Sequence, residues 1–276
     1  MSRVLKLALF GDPIEHSLSP AIHRRFGQQT GIELDYSAIR ANTSDFGPRF
    51  AAFLVAGGQG ANLTVPLKHE GLGVCQQVDH SARAARAVNT LVKRDDGWHG
   101  HNTDGTGLML DLQRLQLHPG GKRILVIGAG GAVAGILGPM LAMHPALVVI
   151  LNRTGSRAQT LAEKFARRGV VIGGGFDQAA DLEGFDLLIQ ATSSGHGEAL
   201  PPLDRKWLKE EAVGYDLNYG PAHRGFARWC AHHCLPGHDG LGMLVGQAAL
   251  AFEIWTGRQP DMEPVLADVR AAQATP

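Results

Sequence analysis

The run Lys122-Arg-Ile-Leu-Val-Ile-Gly128-Ala129-Gly130-Gly131-Ala132 limits the possible folds more than any other feature of this chain. It reads as an apolar strand, a glycine turn and a helix start, without interruption. Gly128 permits the tight turn, and Gly130 lets backbone come close to a ligand. Amides at a helix start, aided by the helix dipole, can bind a pyrophosphate. The sixth position of the dinucleotide fingerprint is Val133 and not Gly or Ala, so the motif is imperfect. A tight strand–helix turn without a ligand has the same appearance.

The same alternation continues along the chain. Val4–Phe10, Glu33–Ile39, Gly60–Leu63, Ile124–Ile127, Leu147–Leu151, Val170–Ile172, Phe185–Ala191 and Ala212–Asp216 read as strands. Amphipathic stretches such as Ser19–Thr30, Gly131–Ala142 and Ser156–Arg168 read as helices between them. This predicts an α/β fold with parallel sheets. Residues 102–237 form one nucleotide-binding unit of Rossmann type. Residues 1–101 form a separate α/β half. The tail, Asp239–Trp255 and Pro260–Ala272, is helical and cannot bury itself, so it is expected to pack back on the first half. The expected domains are therefore 1–101 plus 238–276 and 102–237, with a ligand cleft between them.

Composition narrows the class. Of 276 residues, 44% are hydrophobic and 19% charged, enough apolar material for a core. Lys plus Arg and Asp plus Glu are 26 each, a balance that argues against a nucleic-acid or anionic-membrane partner. No apolar run approaches the ~20 residues of a membrane span. The start, Met1 to Gly11, is broken by Lys6 and reads as a strand, not a signal peptide. Three cysteines, an odd number, fit a reducing cytoplasm. No long apolar edge demands a partner, so monomer and homodimer both stay open.

The strand after the glycine loop bears on the nucleotide. NAD enzymes usually place an acidic residue ~20 positions on, to accept from ribose hydroxyls. Here Asn152-Arg153-Thr154 stands there, with Arg157 one turn later. Two guanidinium groups can grip a 2′-phosphate in a fork-shaped, charge-assisted manner. Solvated arginines at a helix start are the plainer reading, but cations are unfavourable there. The pattern favours NADP. Thr192-Ser193 and the Leu217 loop follow later strands, and carboxyl ends of strands are where ligands sit in open α/β sheets.

Reducing a ketone also needs a proton donor. Lys68 follows the strand end Asn62-Leu-Thr64-Val-Pro66, where proline fixes the turn. A lysine in a closed cleft can act as acid or base, although a surface lysine after a turn is the commoner case. Asp104 in Asn102-Thr103-Asp104-Gly105 can hold Lys68 and a substrate hydroxyl, and it can at the same time cap the helix that follows. Ser17 and Ser19 are two apart, so in an extended segment both hydroxyls point one way and can hold a carboxylate. Ser19 can equally cap a helix with Pro20 at its first position. Cys230-Ala-His232-His233-Cys234, with His238, hints at zinc, but its spacing fits no standard site, and no metal is expected. Met243, Leu244 and Phe252 mark the buried face of a helix.

Taken in order, these motifs resemble the shikimate dehydrogenase family along essentially the whole chain. Ser17-Leu-Ser19-Pro20 is similar to that family's carboxylate loop. Asn62, Thr64 and Lys68 match its N-x-T-x-P-x-K segment, and Asn89 stands in the matching Ala87-Val-Asn89-Thr90. Asn102-Thr103-Asp104-Gly105, the glycine loop, Asn152-Arg153-Thr154, Asp216-Leu217-Asn-Tyr219 and Asp239-Gly240-Leu-Gly242-Met243-Leu244-Val-Gly-Gln247 complete the set. The resemblance implies reversible NADPH-dependent reduction of 3-dehydroshikimate to shikimate, with Lys68 and Asp104 as the catalytic pair. It implies substrate contacts from Ser17, Ser19, Asn62, Thr64, Asn89, Asp104, Tyr219 and Gln247. It implies cofactor contacts from Gly128 to Ala132, Asn152, Arg153, Thr154, Arg157, Thr192, Ser193, Leu217, Gly240 and Met243. The chain departs from the pattern at Val133 and Ala134, where Ser-Arg is expected, and at Arg224, where Thr is common. A quinate/shikimate dehydrogenase with looser cofactor choice is the nearest alternative, but those more often carry an acidic residue near the phosphate site. A catalytically silent NADP-binding regulator is the other alternative, and it would be expected to lose Lys68 or Asp104.

Overall fold

The computed structural model describes residues 4–179, 181–192 and 200–274. It divides into two compact units, Met1–Gly107 with Leu244–Pro276, and Leu108–Met243. Both crossings lie a few residues later than the sequence pattern suggests, because each falls inside a helix and not in a loop. In the helix Asp104–Arg114 the first turn belongs to the first unit, where a Cβ on Gly107 would lie 2.6 Å from the Gln247 amide nitrogen.

In the first unit the elements run β1 (Leu5–Gly11), α1 (Ser19–Thr30), β2 (Leu34–Arg40), α2 (Phe46–Val55), β3 (Gly60–Leu63), α3 (Gly71–Val74), β4 (Gln77–Val78), α4 (His80–Ala85), β5 (Thr90–Arg94), β6 (Gly97–His101) and α5 (Asp104–Arg114). The sheet order is β2-β1-β3-β5-β6-β4. The expectation of parallel sheets fails here. β1, β2 and β3 are parallel, but β5 is antiparallel to both β3 and β6. Only Asp95 and Asp96 link β5 to β6, and a two-residue loop can join only antiparallel strands. Gly97 closes that turn at φ +125, backbone that a side chain resists. One face of the sheet is packed by Phe10, which meets Phe46, Phe50 and Phe53 edge-on at 5.6–5.8 Å.

The tail completes this unit. It forms α9 (Leu241–Thr256), whose later turns belong here, and α10 (Met262–Ala274). Trp255 Nε1 donates to the Leu91 carbonyl at 2.8 Å, which satisfies its polar edge inside an apolar cluster with Leu7, Leu9 and Tyr36.

The second unit contains β7 (Arg123–Ile127), α6 (Gly131–Ala142), β8 (Leu147–Leu151), α7 (Gly155–Phe165), β9 (Val171–Gly174), β10 (Phe185–Gln190), β11 (Leu208–Asp216), α8 (Arg224–His232) and β12 (Gly237–His238). Its sheet order is β12-β11-β10-β7-β8-β9, parallel throughout. Read from β9, this is the 3-2-1-4-5-6 winding of a dinucleotide-binding fold, and the order reverses between β7 and β10. β7 is buried on both faces, so it reads as an unbroken apolar run. β11 starts earlier than the expected Ala212, because Lys209, Glu210 and Glu211 are exposed and break the apolar pattern.

Candidate active site

In the first unit, β3 ends at Leu63 and the chain turns through Thr64 to Lys68. The Thr64 amide donates to the Phe10 carbonyl at 2.9 Å, and the Leu67 amide donates to the Thr64 carbonyl at 2.7 Å. The Lys68 carbonyl accepts from the Val88 amide at 2.8 Å. Backbone bonds on both sides therefore fix where the Lys68 side chain starts. Its Nζ lies 2.5 Å from Asp104 Oδ2, in a pair that is largely shielded from water. Asp104 Oδ1 accepts from Asn89 Nδ2 at 2.8 Å, so both carboxylate oxygens are engaged. Water would screen this attraction, and its exclusion strengthens it.

Asp104 does not cap α5. Its own amide donates to Asn102 Oδ1 at 3.1 Å, so Asn102 does that work and leaves the Asp104 carboxylate free for Lys68. Ser17 and Ser19 also differ from expectation. Their segment is not extended: Leu18 between them is helical, at φ -81 and ψ -11. Ser17 Oγ accepts from the Ser19 amide at 3.3 Å, so Ser17 supports the start of α1, in which Ser19 is the first residue. This leaves the Ser17 hydroxyl hydrogen free to donate elsewhere.

Asn62 is buried and fully occupied by internal bonds. Its Oδ1 accepts from the Tyr36 hydroxyl at 2.7 Å, and its Nδ2 donates to the Asn89 carbonyl and to Thr90 Oγ1. The Thr64 side chain is half-buried beside Gly11, where a Cβ would meet its methyl. Gln247, on α9, donates to the Leu244 carbonyl at 2.8 Å, and its Oε1 lies 3.4 Å from Thr103 Oγ1 and 3.5 Å from Asn89 Nδ2. The first unit thus brings Lys68, Asp104, Asn89 and Gln247 to one place. Tyr36, Thr90 and Thr103 join them by hydrogen bonds, and sequence reading missed all three as site members. A Tyr in a strand and Thr in two motifs look like ordinary packing residues.

In the second unit the glycine turn stands at the switch point. Gly128 has φ +119, and a Cβ there would lie 3.0 Å from the Ala191 carbonyl oxygen. Gly130 precedes α6 in extended backbone, and no side chain caps the helix. Gly130 and Gly131 are exposed, and among the described residues neither amide donates to another backbone group. Ala129 and Ala132 flank them, the latter exposed. Val133 is buried in the core against Ile124 and Val126, which makes it a packing residue. Asn152 Nδ2 donates to the Thr154 carbonyl at 3.0 Å and shapes the turn into α7. Arg153 and Arg157 are exposed, and among the described residues neither side chain is held by an ion pair. Open amides at a helix start with two unengaged guanidinium groups nearby in sequence fit a phosphate-bearing ligand.

The remaining predicted positions lie on loops that hold one another. Thr192 is hydrogen-bonded to the Gln190 side chain at 2.8 Å, and its carbonyl accepts from Asn218 Nδ2 at 3.0 Å. Ser193 falls outside the described residues. The Leu217 amide donates to the Gln190 carbonyl at 2.8 Å, and Gly240 could carry no side chain, because a Cβ would lie 2.3 Å from the Leu217 carbonyl oxygen. Met243 packs on the unit's core. Tyr219 is half-buried, and burial raises its hydroxyl pKa. Arg224 is the first residue of α8. Sequence reading missed Asp216 as an organiser of this loop. Its buried carboxylate accepts from the Asn218 amide and from His223 Nδ1, at 3.0 and 3.1 Å.

Cys230 is buried, and burial together with the Asp216 carboxylate pushes its thiol up to about 12. Among the described residues no group of three or more His, Cys, Asp or Glu side chains stands together to hold a metal.

Three family models match successive parts of the chain: the shikimate dehydrogenase substrate binding domain over residues 9–91, shikimate / quinate 5-dehydrogenase over 111–199, and the shikimate 5'-dehydrogenase C-terminal domain over 240–270. A protein of Hahella chejuensis named shikimate dehydrogenase (NADP(+)) is 44% identical over 271 residues, covering 95% of this chain and 97% of its own length. This chain belongs to the shikimate dehydrogenase family. Solved structures of similar shape include the Ael1 enzyme from Pseudomonas putida, 34% identical with a TM-score of 0.88, covering 96% of this chain and 97% of that one. Shikimate 5-dehydrogenase from Thermus thermophilus, solved with NADP(H) and shikimate, is 32% identical with a TM-score of 0.86, covering 98% of this chain and all of that one (100%). Within the family, the likeness spans both units of this chain and not the glycine loop alone.

Proposed function

We propose that this protein interconverts shikimate and 3-dehydroshikimate with NADP(H), in the cytoplasm. The observation that carries the reading is the shielded Lys68–Asp104 pair, whose carboxylate is also held by Asn89. Oxidation of shikimate removes a hydride from the carbinol carbon and a proton from its oxygen. When bound, NADP supplies the hydride acceptor. The chain's own side chains handle the proton. Lys68 Nζ exchanges it with the reacting oxygen, and Asp104 keeps Nζ aimed. In the reducing direction Lys68 returns the proton to the new alkoxide.

Substrate is held by the same unit. The free Ser17 hydroxyl hydrogen and the Ser19 hydroxyl suit the substrate carboxylate, while Thr64, Asn89 and Gln247 suit ring hydroxyls. Asn62 supports from behind and does not touch substrate. Tyr219 stands in the second unit, and family resemblance alone assigns it a substrate contact. For the cofactor, the open amides of Gly130 and Gly131 suit the pyrophosphate, and Arg153 and Arg157 suit the 2′-phosphate. All three cysteines are free, which supports a reducing compartment. No described helix is long and apolar enough to cross a membrane.

Initial rates of NADP reduction, followed by nicotinamide absorbance with shikimate as substrate, test the proposal. A signal with shikimate and NADP, and little with quinate or NAD, is the expected result. Equal signals with quinate or NAD place the protein among the broader quinate/shikimate enzymes, and silence in every pairing removes the assigned activity.

A further inference from the structure

We infer that Tyr36, Asn62 and Thr90 are positioning residues that aim Asn89, and through it Asp104, from behind the site. This rests on the proposed reaction for its kinetic consequence, but its geometry stands alone. The side chains form one directional chain. The Tyr36 hydroxyl donates to Asn62 Oδ1 at 2.7 Å, and Asn62 Nδ2 donates to Thr90 Oγ1 at 3.1 Å. The Thr90 hydroxyl donates to Asn89 Oδ1 at 2.9 Å, and Asn89 Nδ2 donates to Asp104 Oδ1 at 2.8 Å. Lys68 then donates to the other carboxylate oxygen. Every donation runs towards the carboxylate, the one full negative charge in the chain. Bonds aligned head to tail polarise one another and strengthen together.

Backbone groups fix the polarity, so it is not an arbitrary choice of amide orientation. The Asn89 carbonyl accepts from Asn62 at 3.0 Å, and a carbonyl can only accept, so Asn62 must turn its nitrogen that way and its oxygen to Tyr36. The Thr103 amide donates to Asn89 Oδ1 at 2.9 Å, and an amide N–H can only donate, so Asn89 must turn its nitrogen to Asp104. Thr90 is fully buried, and among the described residues it is the hydroxyl that links the two asparagines. The chain crosses β2, β3 and β5 to reach the first residue of α5. Nothing about packing requires this. Valine would fill the space of Thr90 equally well but would leave Asn62 Nδ2 and Asn89 Oδ1 each short of a bond.

The test compares wild type with Thr90→Val, Thr90→Ser and Tyr36→Phe in the full chain. Thr90→Val is expected to lower kcat for shikimate oxidation about tenfold, the size of one buried hydrogen bond lost in a catalytic alignment. Shikimate binding stoichiometry should stay unchanged, which shows that the unit holding Thr90 is folded. Thr90→Ser, which keeps the hydroxyl, should restore kcat to within about twofold of wild type, and Tyr36→Phe, one bond further back, should lose less than Thr90→Val. In parallel, the side-chain amide resonances of Asn89 are followed by NMR. They should move and exchange faster with solvent in Thr90→Val and return in Thr90→Ser. Wild-type kcat and unmoved Asn89 resonances in Thr90→Val overturn the inference, as does an equal loss in Thr90→Ser. If wild type itself fails to oxidise shikimate, the functional reading falls, and the Asn89 resonances alone decide the positioning role.

Discussion

The Lys68 region of the first unit and the glycine loop of the second hold charge in opposite ways. Around Lys68, positive and negative charge are both supplied by the protein, shielded from water, and joined to amides and hydroxyls that leave neither Asp104 oxygen idle. Around the glycine loop the protein supplies only positive character, from open amides and exposed arginines, with no carboxylate partner among the described residues. The first arrangement is complete before any ligand arrives. The second, on the proposed function, is completed by an anion from outside. A complete charge pair fixes geometry, and geometry governs the rate of a proton transfer. An incomplete one leaves attraction unspent, and this governs which ligand is held.

The largest effect should come from breaking the complete pair. Lys68→Ala removes the proposed proton carrier and is expected to lower turnover about 10³-fold. It also leaves Asp104 buried with Asn89 as its remaining side-chain donor, so some loss of stability should accompany it. NADP affinity, measured by titration of the same variant, should hardly change. Unchanged turnover would remove Lys68 from the mechanism, and lost NADP binding would mean that the two regions are not separable in the way their chemistry indicates.

A smaller, reversed pattern should follow at the second region. Arg153→Ala and Arg157→Ala each take away a charge-assisted contact worth about 1.5–3 kcal/mol, so NADP should bind roughly ten- to a hundredfold more weakly. NAD, which has no 2′-phosphate, should bind as before, and kcat at saturating NADP should hold. Equal weakening for both nucleotides would show that the arginines steady the loop and do not read the phosphate.

The two regions also differ in how far they could be read from sequence. The glycine loop was legible because its chemistry is backbone chemistry: Gly128 needs φ +119, and Gly130 leads into α6 with its surroundings open, so the residue type itself carries the constraint. The winding of the second sheet was legible for a similar reason, since strands buried on both faces are continuous apolar runs. Lys68 and Asp104 stood out as chemistry-bearing residues, but their support did not. Asn62 and Asn89 stand in motifs, but Tyr36 and Thr90, which bond to them, carry no such mark, and no local pattern tells a bonded Thr from a merely buried one. The Ser17–Ser19 geometry was misread because spacing of two means one face only in a strand, and Leu18 is helical. The mixed sheet is harder to read, because β5 and β6 are short and the Asp95-Asp96-Gly97 turn is the local sign of their hairpin.

The smallest effect tests the apolar backing of the first region. His23, on α1, is fully buried, and among the described residues neither ring nitrogen makes a hydrogen bond of good geometry, Asn62 being a weak neighbour that only partly offsets burial. Its ring stacks on Tyr36 at 4.4 Å, with Phe252 and Trp255 around it. Burial drives its pKa from 6.5 down to about 3, so the folded protein holds it neutral. The sign follows from that. Above pH 6.5 both folded and unfolded chains carry neutral His23, and its contribution to stability is fully present. As pH falls from 6.5 towards about 3, the unfolded chain takes up a proton that the folded chain refuses, and stability falls by about 1.4 kcal/mol per pH unit. Chemical denaturation at about pH 6.5 and about pH 5 should therefore differ by roughly 2 kcal/mol more in wild type than in His23→Phe, which keeps an aromatic ring against Tyr36. Asp79 and Asp186, whose pKa values are lowered below 3.8, lose their contributions only at lower pH and do not blur that window. The same slope in both proteins would mean that water reaches His23 in solution, and that the wall behind Tyr36 is not dry.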